Sequence, residues 1–399
     1  MGRNLVICCD GTNNSVVGGT TNVLRLFSTI DRGADQLAFY DSGVGTLTDP
    51  TRVTPLGREL SRQVDLAVGN SLGRSVCAAY RFLCQNWRPG DDIYLFGFSR
   101  GAYAVRALAG MVHFLGLLRP ELDSLNALAW NVYADENRKL STSELFAGGF
   151  RFAKNFSNPG ARRVRIHFLG AWDTVSSFGW IWDVRSLPHS SQCPNVLHVR
   201  HAASIDETRA FFPLQDFRRT SDAEADSQQS RADEEDENVS ATTEANSAHA
   251  AGTFREVWFA GVHSDIGGGY PEPESGLAKI SLEWMFREAE QAGLRVVPRE
   301  RDRVLGRTAG KGKKMPPDPL GELHDSSRGL WHILEFVPKK RWDAELEAKR
   351  WFGPNLFRPR PIPPGAAIHP SVKVRREAGG YHPPNLPAQP SYTDLGGPL

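Results

Sequence analysis

The chain has no apolar run approaching the ~20 residues needed to cross a bilayer as a helix. Leu5–Cys9 is too short for the apolar core of a signal peptide, so the expected place is inside the cell, in the cytoplasm. Cysteine is sparse and unpatterned. The five (Cys8, Cys9, Cys77, Cys84, Cys193) are odd in number and match no zinc spacing. They are expected as reduced thiols, with no metal site and no cofactor. Net charge is also lacking, at +1 over 399 residues, which gives no general pull toward nucleic acid. That balance hides an asymmetry. Residues 221–250 hold nine acids against Arg231 alone, which leaves the rest of the chain basic. Residues 219–253, rich in Ser, Ala, Asp and Glu, cannot bury enough apolar surface to offset chain entropy and are expected to be a disordered insertion. No internal repeat is present.

What is present is a hydrophobic content of 40% with ten Trp, enough for a large core. Its pattern is strands alternating with helices. Asn4–Cys9 reads as a buried parallel strand, with Cys8 and Cys9 on opposite faces. A helix follows at 21–31, with Thr21 as its cap, then a strand at Gln36–Tyr40. A helix at 58–87 leads to a strand at Ile93–Phe96. Further strands are expected at Arg163–Leu169, Val196–Ala203 and Glu256–Gly261, and an amphipathic helix at 276–293. Such alternation predicts an α/β chain: a mostly parallel sheet with helices on both faces, in one domain over 1–399. Residues 111–160 read as a helical cap or insertion. Residues 295–399 read as basic, Pro-rich excursions that end in a wrap around the core, with 299–314 as a solvated loop. Contact of that loop with anionic lipid headgroups, as a peripheral membrane contact, is the minority reading.

In an open parallel sheet, chemistry gathers at the carboxyl ends of the strands. The loop after the third expected strand is Gly97-Phe98-Ser99-Arg100-Gly101. Strand, G-x-S-x-G and helix together define a nucleophile elbow, with both glycines admitting close backbones and Ser99 at the tip. The competing structural role is that Ser99 merely caps the helix. Serine needs a base, and His263 follows the last clear strand. The order Ser99, Asp173, His263 is that of α/β-hydrolases. Asp206, after the next strand, is a rival for the acid. The Arg100 N–H offers one oxyanion donor, and Gly11 or Thr12 the second. Asp10 and Asp265 are accessory candidates, the latter beside Gly267–Gly269 as a phosphate nest or a plain turn. His113, His167, His198 and His201 have no strand-end placement.

Several segments together carry a resemblance: Asn4–Thr12, Tyr40–Thr46, Gly97–Ala102, Trp172–Val175, Ile205–Glu207 and Trp258–Tyr270. Across about Arg3–Leu386, outside the acidic run, the chain is similar to the catalytic domain of the type VI secretion phospholipase effectors. The resemblance implies a Ser–Asp–His hydrolase of glycerophospholipid esters and favours Ser99, His263 and Asp173. Two other readings stay open. One is a metal-dependent phosphoesterase using Asp10, Asp173, Asp265 and His263. The other is a non-catalytic interaction protein with the acidic run as its docking tail. Oligomeric state, acyl chain and headgroup are not legible.

Overall fold

The structure is a computed structural model. It describes residues 2–11, 19–43, 70–134, 142–175, 179–180, 183–184, 187–210, 212–215, 217, 253–308, 314–326, 335, 339–343, 348–352 and 355–393. Thr12, residues 58–69 of the expected helix and the acidic run up to residue 252 lie outside them.

The strands are β1 (Asn4–Cys9), β2 (Gln36–Asp41), β3 (Asp92–Phe98), β4 (Ile166–Trp172), β5 (Gly179–Trp180), β6 (Asp183–Val184), β7 (Val196–Ser204), β8 (Thr253–Phe259), β9 (Lys339–Asp343), β10 (Ala348–Phe352), β11 (Ala367–Ile368) and β12 (Ser391–Tyr392). Eight of them form one sheet in the order β12-β11-β8-β7-β4-β3-β1-β2. Every pairing within it is parallel. A small second sheet, β10-β9-β6-β5, is mixed. The helices are α1 (Asn22–Thr29), α2 (Asn70–Asn86), α3 (Arg100–Leu115), α4 (Asn126–Ala134), α5 (Thr142–Phe156), α6 (His263–Gly267), α7 (Gly276–Gln291), α8 (Pro298–Val304) and α9 (Pro370–Glu377).

The central strands are apolar without alternation because both faces are covered. Leu5, Ile7 and Cys9 of β1 enter one core with Ile93 and Leu95 of β3, under α2, α3 and α4. Val6 and Cys8 enter the other core with Tyr94 and Phe96, under α1 and α7. Adjacent residues in the sheet thus feed opposite layers, and Cys8 and Cys9 are both buried free thiols. Thr21 does cap α1, accepting from the Leu24 N–H. The helices of residues 111–160 pack on α2 and α3, with Trp130 and Tyr133 buried in that layer.

Two expectations change. The stretch read as a solvated loop from 299 contains α8, whose Val304, with Leu305 after it, is buried against the α1 and α7 layer. Its charges are paired locally, Arg301 with Glu290 and Arg303 with Glu300, which made the segment look wholly solvated in sequence. The C-terminal segment also does more than wrap. It adds β11 and β12 to the main sheet beyond β8, and Ile368, Val372 and Tyr381 make a third core with Trp258 and Ile205.

Candidate functional site

Ser99 follows β3 at the head of α3, with φ 58° and ψ −122°. Positive φ is uncommon for a residue with a Cβ, and such strain persists only where the surroundings enforce it. Here they do. A Cβ at Gly97 would lie 2.4 Å from the Gly101 carbonyl oxygen, and one at Gly101 would lie 2.0 Å from that of Cys9. The strand, the helix and the end of β1 therefore meet at one point. Ser99 stands at the N-cap position of α3, yet its side chain makes no capping hydrogen bond. A Cβ on Gly11 would sit 3.3 Å from Ser99 Cβ, so the loop after β1 borders the hydroxyl. The Gly11 N–H donates to Asp10 Oδ1 at 2.8 Å.

His263 opens α6, directly after β8, and its Nδ1–H donates to Asp173 Oδ2 at 2.5 Å. That bond leaves Nε2 as the acceptor nitrogen. The ring lies between two aromatic walls, Phe98 at 4.6 Å and Phe212 at 4.9 Å between centroids. Phe98 is the residue before Ser99, so the imidazole packs against the elbow itself. Among the described residues, Ser99 Oγ and the His263 ring share no hydrogen bond. Burial lowers the imidazole pKa below its ordinary value, against the raising effect of Asp173. The Arg209 charge also lowers it and Glu207 raises it. The ring is thereby held neutral near pH 7, the form that accepts a proton.

Asp173 sits in the turn after β4, wholly buried, with φ 38°. Besides His263 it accepts from the Ser204 N–H at 2.9 Å and from Arg360 Nη1 and Nη2 at 2.6 and 3.1 Å. Burial by itself would raise its pKa. The Arg360 charge and the His263 hydrogen bond outweigh it and hold the carboxyl well below the usual range.

The other candidates are engaged elsewhere. Asp206 accepts from the Gly261 N–H and the Tyr381 hydroxyl, both at 2.7 Å, so of the two rival acids it is Asp173 that touches His263. Asp10 accepts from Thr21 Oγ1 and the Tyr40 hydroxyl and orders its own loop. Asp265 accepts from the Val262 N–H and from His324 Nδ1 at 2.7 Å. Among the described residues no three His, Cys, Asp or Glu side chains converge as metal ligands would. Arg100 begins α3, where its N–H is one of the first-turn donors. Thr12 lies outside the described residues.

Sequence reasoning passed over four residues of this site. Arg360 is 187 positions from Asp173, alone in a Pro-rich tail with no local signal. Glu207, wholly buried, takes the His263 N–H at 3.2 Å. Phe212 supplies one wall. His201 Nε2 accepts from the Thr174 N–H at 3.2 Å while Nδ1 meets Glu256 at 2.8 Å, which braces the turn carrying Asp173. His201 stands opposite Glu256 in register across β7 and β8.

A parallel sheet with an elbow serine and a buried Asp–His pair at its carboxyl edge defines an α/β-hydrolase-like architecture. Residues 3–288 match the family model described as T6SS, Phospholipase effector Tle1-like, catalytic domain, and the chain belongs to that family. It is similar to the uncharacterized protein YEL023C of Saccharomyces cerevisiae, at 36% identity over 224 residues, covering 53% of this chain and 32% of the relative. Among solved structures it is similar to an uncharacterized protein from Pseudomonas aeruginosa at 19% identity and a TM-score of 0.39, covering 75% of this chain and 47% of the other. A Tle1 effector bound to the VgrG spike of a type VI secretion system aligns at 19% identity and a TM-score of 0.32, covering 69% and 52%. The chain thus spans about a third to a half of the length of these relatives.

Proposed function

We propose that the protein is a serine hydrolase of carboxylic esters, with glycerophospholipids as the substrate class. The observation that carries this is the strained serine at position 99, walled by the same aromatic ring that supports the buried His263–Asp173 pair. Membership in a family of phospholipase effector catalytic domains supports the lipid ester as substrate.

Ser99 Oγ attacks the ester carbonyl carbon as its proton passes to His263 Nε2. Asp173 stabilises the imidazolium and keeps its proton on Nδ1. The Arg100 N–H, with a second donor from the loop after β1, receives the tetrahedral oxyanion; the Gly11 N–H is itself already given to Asp10 Oδ1. Collapse breaks the bond to the glycerol oxygen, which takes the proton from His263 and leaves as the lysolipid. Water then gives its proton to His263 and attacks the acyl-enzyme. Fatty acid departs and Ser99 is restored.

The test is labelling by a fluorophosphonate probe together with fatty-acid release from phosphatidylcholine or phosphatidylglycerol vesicles. Wild type should label at Ser99 and release acid, and Ser99→Ala should lose both, with kcat down by about 10⁴ or more. A folded wild-type protein that neither labels nor releases acid refutes the proposal. Release that survives Ser99→Ala and stops with chelator would move the chemistry to a metal.

A further inference from the structure

We propose that Arg360 is a positioning residue for this reaction: a buried guanidinium from the C-terminal segment that clamps Asp173 and the Phe212 backbone together around His263. The inference rests on the triad reading above and adds to it a cationic fourth residue.

The geometry is specific. Arg360 is 7% exposed. Its Nη1 donates to Asp173 Oδ1 at 2.6 Å and to Ser204 Oγ at 2.9 Å. Its Nη2 donates to Asp173 Oδ2 at 3.1 Å and to the Phe212 carbonyl at 2.5 Å, and Nε reaches the same carbonyl at 3.1 Å. The guanidinium fork therefore spans two parts of the imidazole's surroundings, the acid that orients Nδ1 and the residue whose ring forms one wall. Asn385 holds the Arg360 carbonyl from below, at 2.9 Å. A planar donor fork is what such bridging needs; an ammonium at the same place is a point charge whose three donors lack that fixed fork.

Residue 360 lies outside the 3–288 stretch that matches the family model. The same C-terminal region places the Tyr381 hydroxyl on Asp206 and His324 on Asp265. Three acids at the carboxyl edge of the sheet, Asp173, Asp206 and Asp265, are thus neutralised or bonded by a segment that folds back over that edge.

The charge has a consequence that a neutral prop would not have. The charged groups around His263 are Asp173 after β4, Glu207 and Arg209 after β7, and Arg360 from the tail. Glu207 and Arg209 pair with each other, at 2.8 Å. Arg360 offsets the negative charge of Asp173, so the imidazolium gains less from its partner than an unopposed carboxylate would give. Only neutral His263 acts as base, so the acid limb of kcat/KM marks its protonation in the free enzyme. With Arg360 present the limb lies low. Removing the cation should move it up by about one pH unit.

The experiment measures kcat/KM against pH for wild type, Arg360→Gln, Arg360→Lys and Ser99→Ala, with a short-chain ester as substrate. Arg360→Gln should lose activity and shift its acid limb upward by about one unit. Arg360→Lys keeps the cation and should keep the limb near its wild-type position while kcat falls, because the ammonium cannot bridge both partners. An unmoved limb in folded Arg360→Gln overturns the inference and reduces Arg360 to a structural group. If Arg360→Gln does not fold, Arg360→Lys decides: a reduced kcat with an unmoved acid limb supports the fork, and an unchanged kcat or a limb moved upward overturns it. Full activity in Ser99→Ala would refute the triad reading itself. A dead Ser99→Ala with an unmoved Arg360→Gln limb refutes only the role of Arg360.

Discussion

Asp173→Asn is the sharpest perturbation, because the carboxylate serves two masters. Its Oδ2 faces His263 and Arg360 Nη2, and its Oδ1 faces the Ser204 N–H and Arg360 Nη1. An amide replaces one of those acceptors by a donor. Turned toward Oδ1 it meets two donors including the Ser204 backbone; turned toward Oδ2 it meets Arg360 and a ring that can answer by moving its proton to Nε2. The second arrangement is the cheaper one, and it removes the base. Activity should fall by about 10⁴. Stability should fall as well, because Arg360 keeps a buried charge with its partner gone, a loss of about 3–5 kcal/mol. Unfolding entropy scales at about 2 cal/mol/K per residue, so ~4 kcal/mol spread over the chain lowers the melting midpoint by about 5 °C. Adding Arg360→Gln to Asp173→Asn should recover at least half of the lost stability and none of the activity. The assay is urea unfolding followed by circular dichroism for the four members of the cycle, with ester hydrolysis beside it. Strict additivity of the two substitutions, or an Asp173→Asn protein as stable as wild type, would refute the pairing.

Two further predictions concern the scaffold. His369 caps α9, its Nδ1 accepting from the Ser371 N–H at 3.2 Å while its ring stacks on Phe259 at 4.6 Å. Burial pushes its pKa down to about 3, aided by Arg287. Its folded value lies below its unfolded one, so the unfolded chain binds the extra proton. The stability it contributes is complete above about pH 6.5 and is lost as pH falls toward the folded value, at about 1.4 kcal/mol per pH unit. His369→Asn keeps a capping acceptor and should flatten the stability profile between pH 6 and pH 4; an unchanged slope in urea titrations would show that the histidine contributes none of it. Gly101→Ala forces a Cβ to within 2.0 Å of the Cys9 carbonyl, backbone against backbone. It should cost about 3 kcal/mol and most of the activity, and an unaltered urea midpoint would show that the elbow is not as tight as described.

Much of this protein was legible before any coordinates. Apolar runs without alternation at 5–9, 93–96 and 257–260 read as strands covered on both sides, because a solvated face would need polar residues at every second position. Glycines on either side of Ser99 marked a backbone crossing too close for a Cβ, which is a local property and therefore readable from local residues. The order of Ser99, Asp173 and His263 followed from the order of the strands that carry them. The remainder depended on where distant segments come to rest. Nothing in the residues around 206 or 173 said which carboxylate would face the imidazole; Tyr381 and the Gly261 N–H engage one and leave the other to His263. Nothing around Pro359-Arg360-Pro361 marked that arginine as the counter-charge of an acid 187 positions away. Helices and strands follow from periodicities within a dozen residues, whereas a buried ion pair is decided by the docking of the C-terminal segment against the sheet edge, and only the folded chain contains that contact.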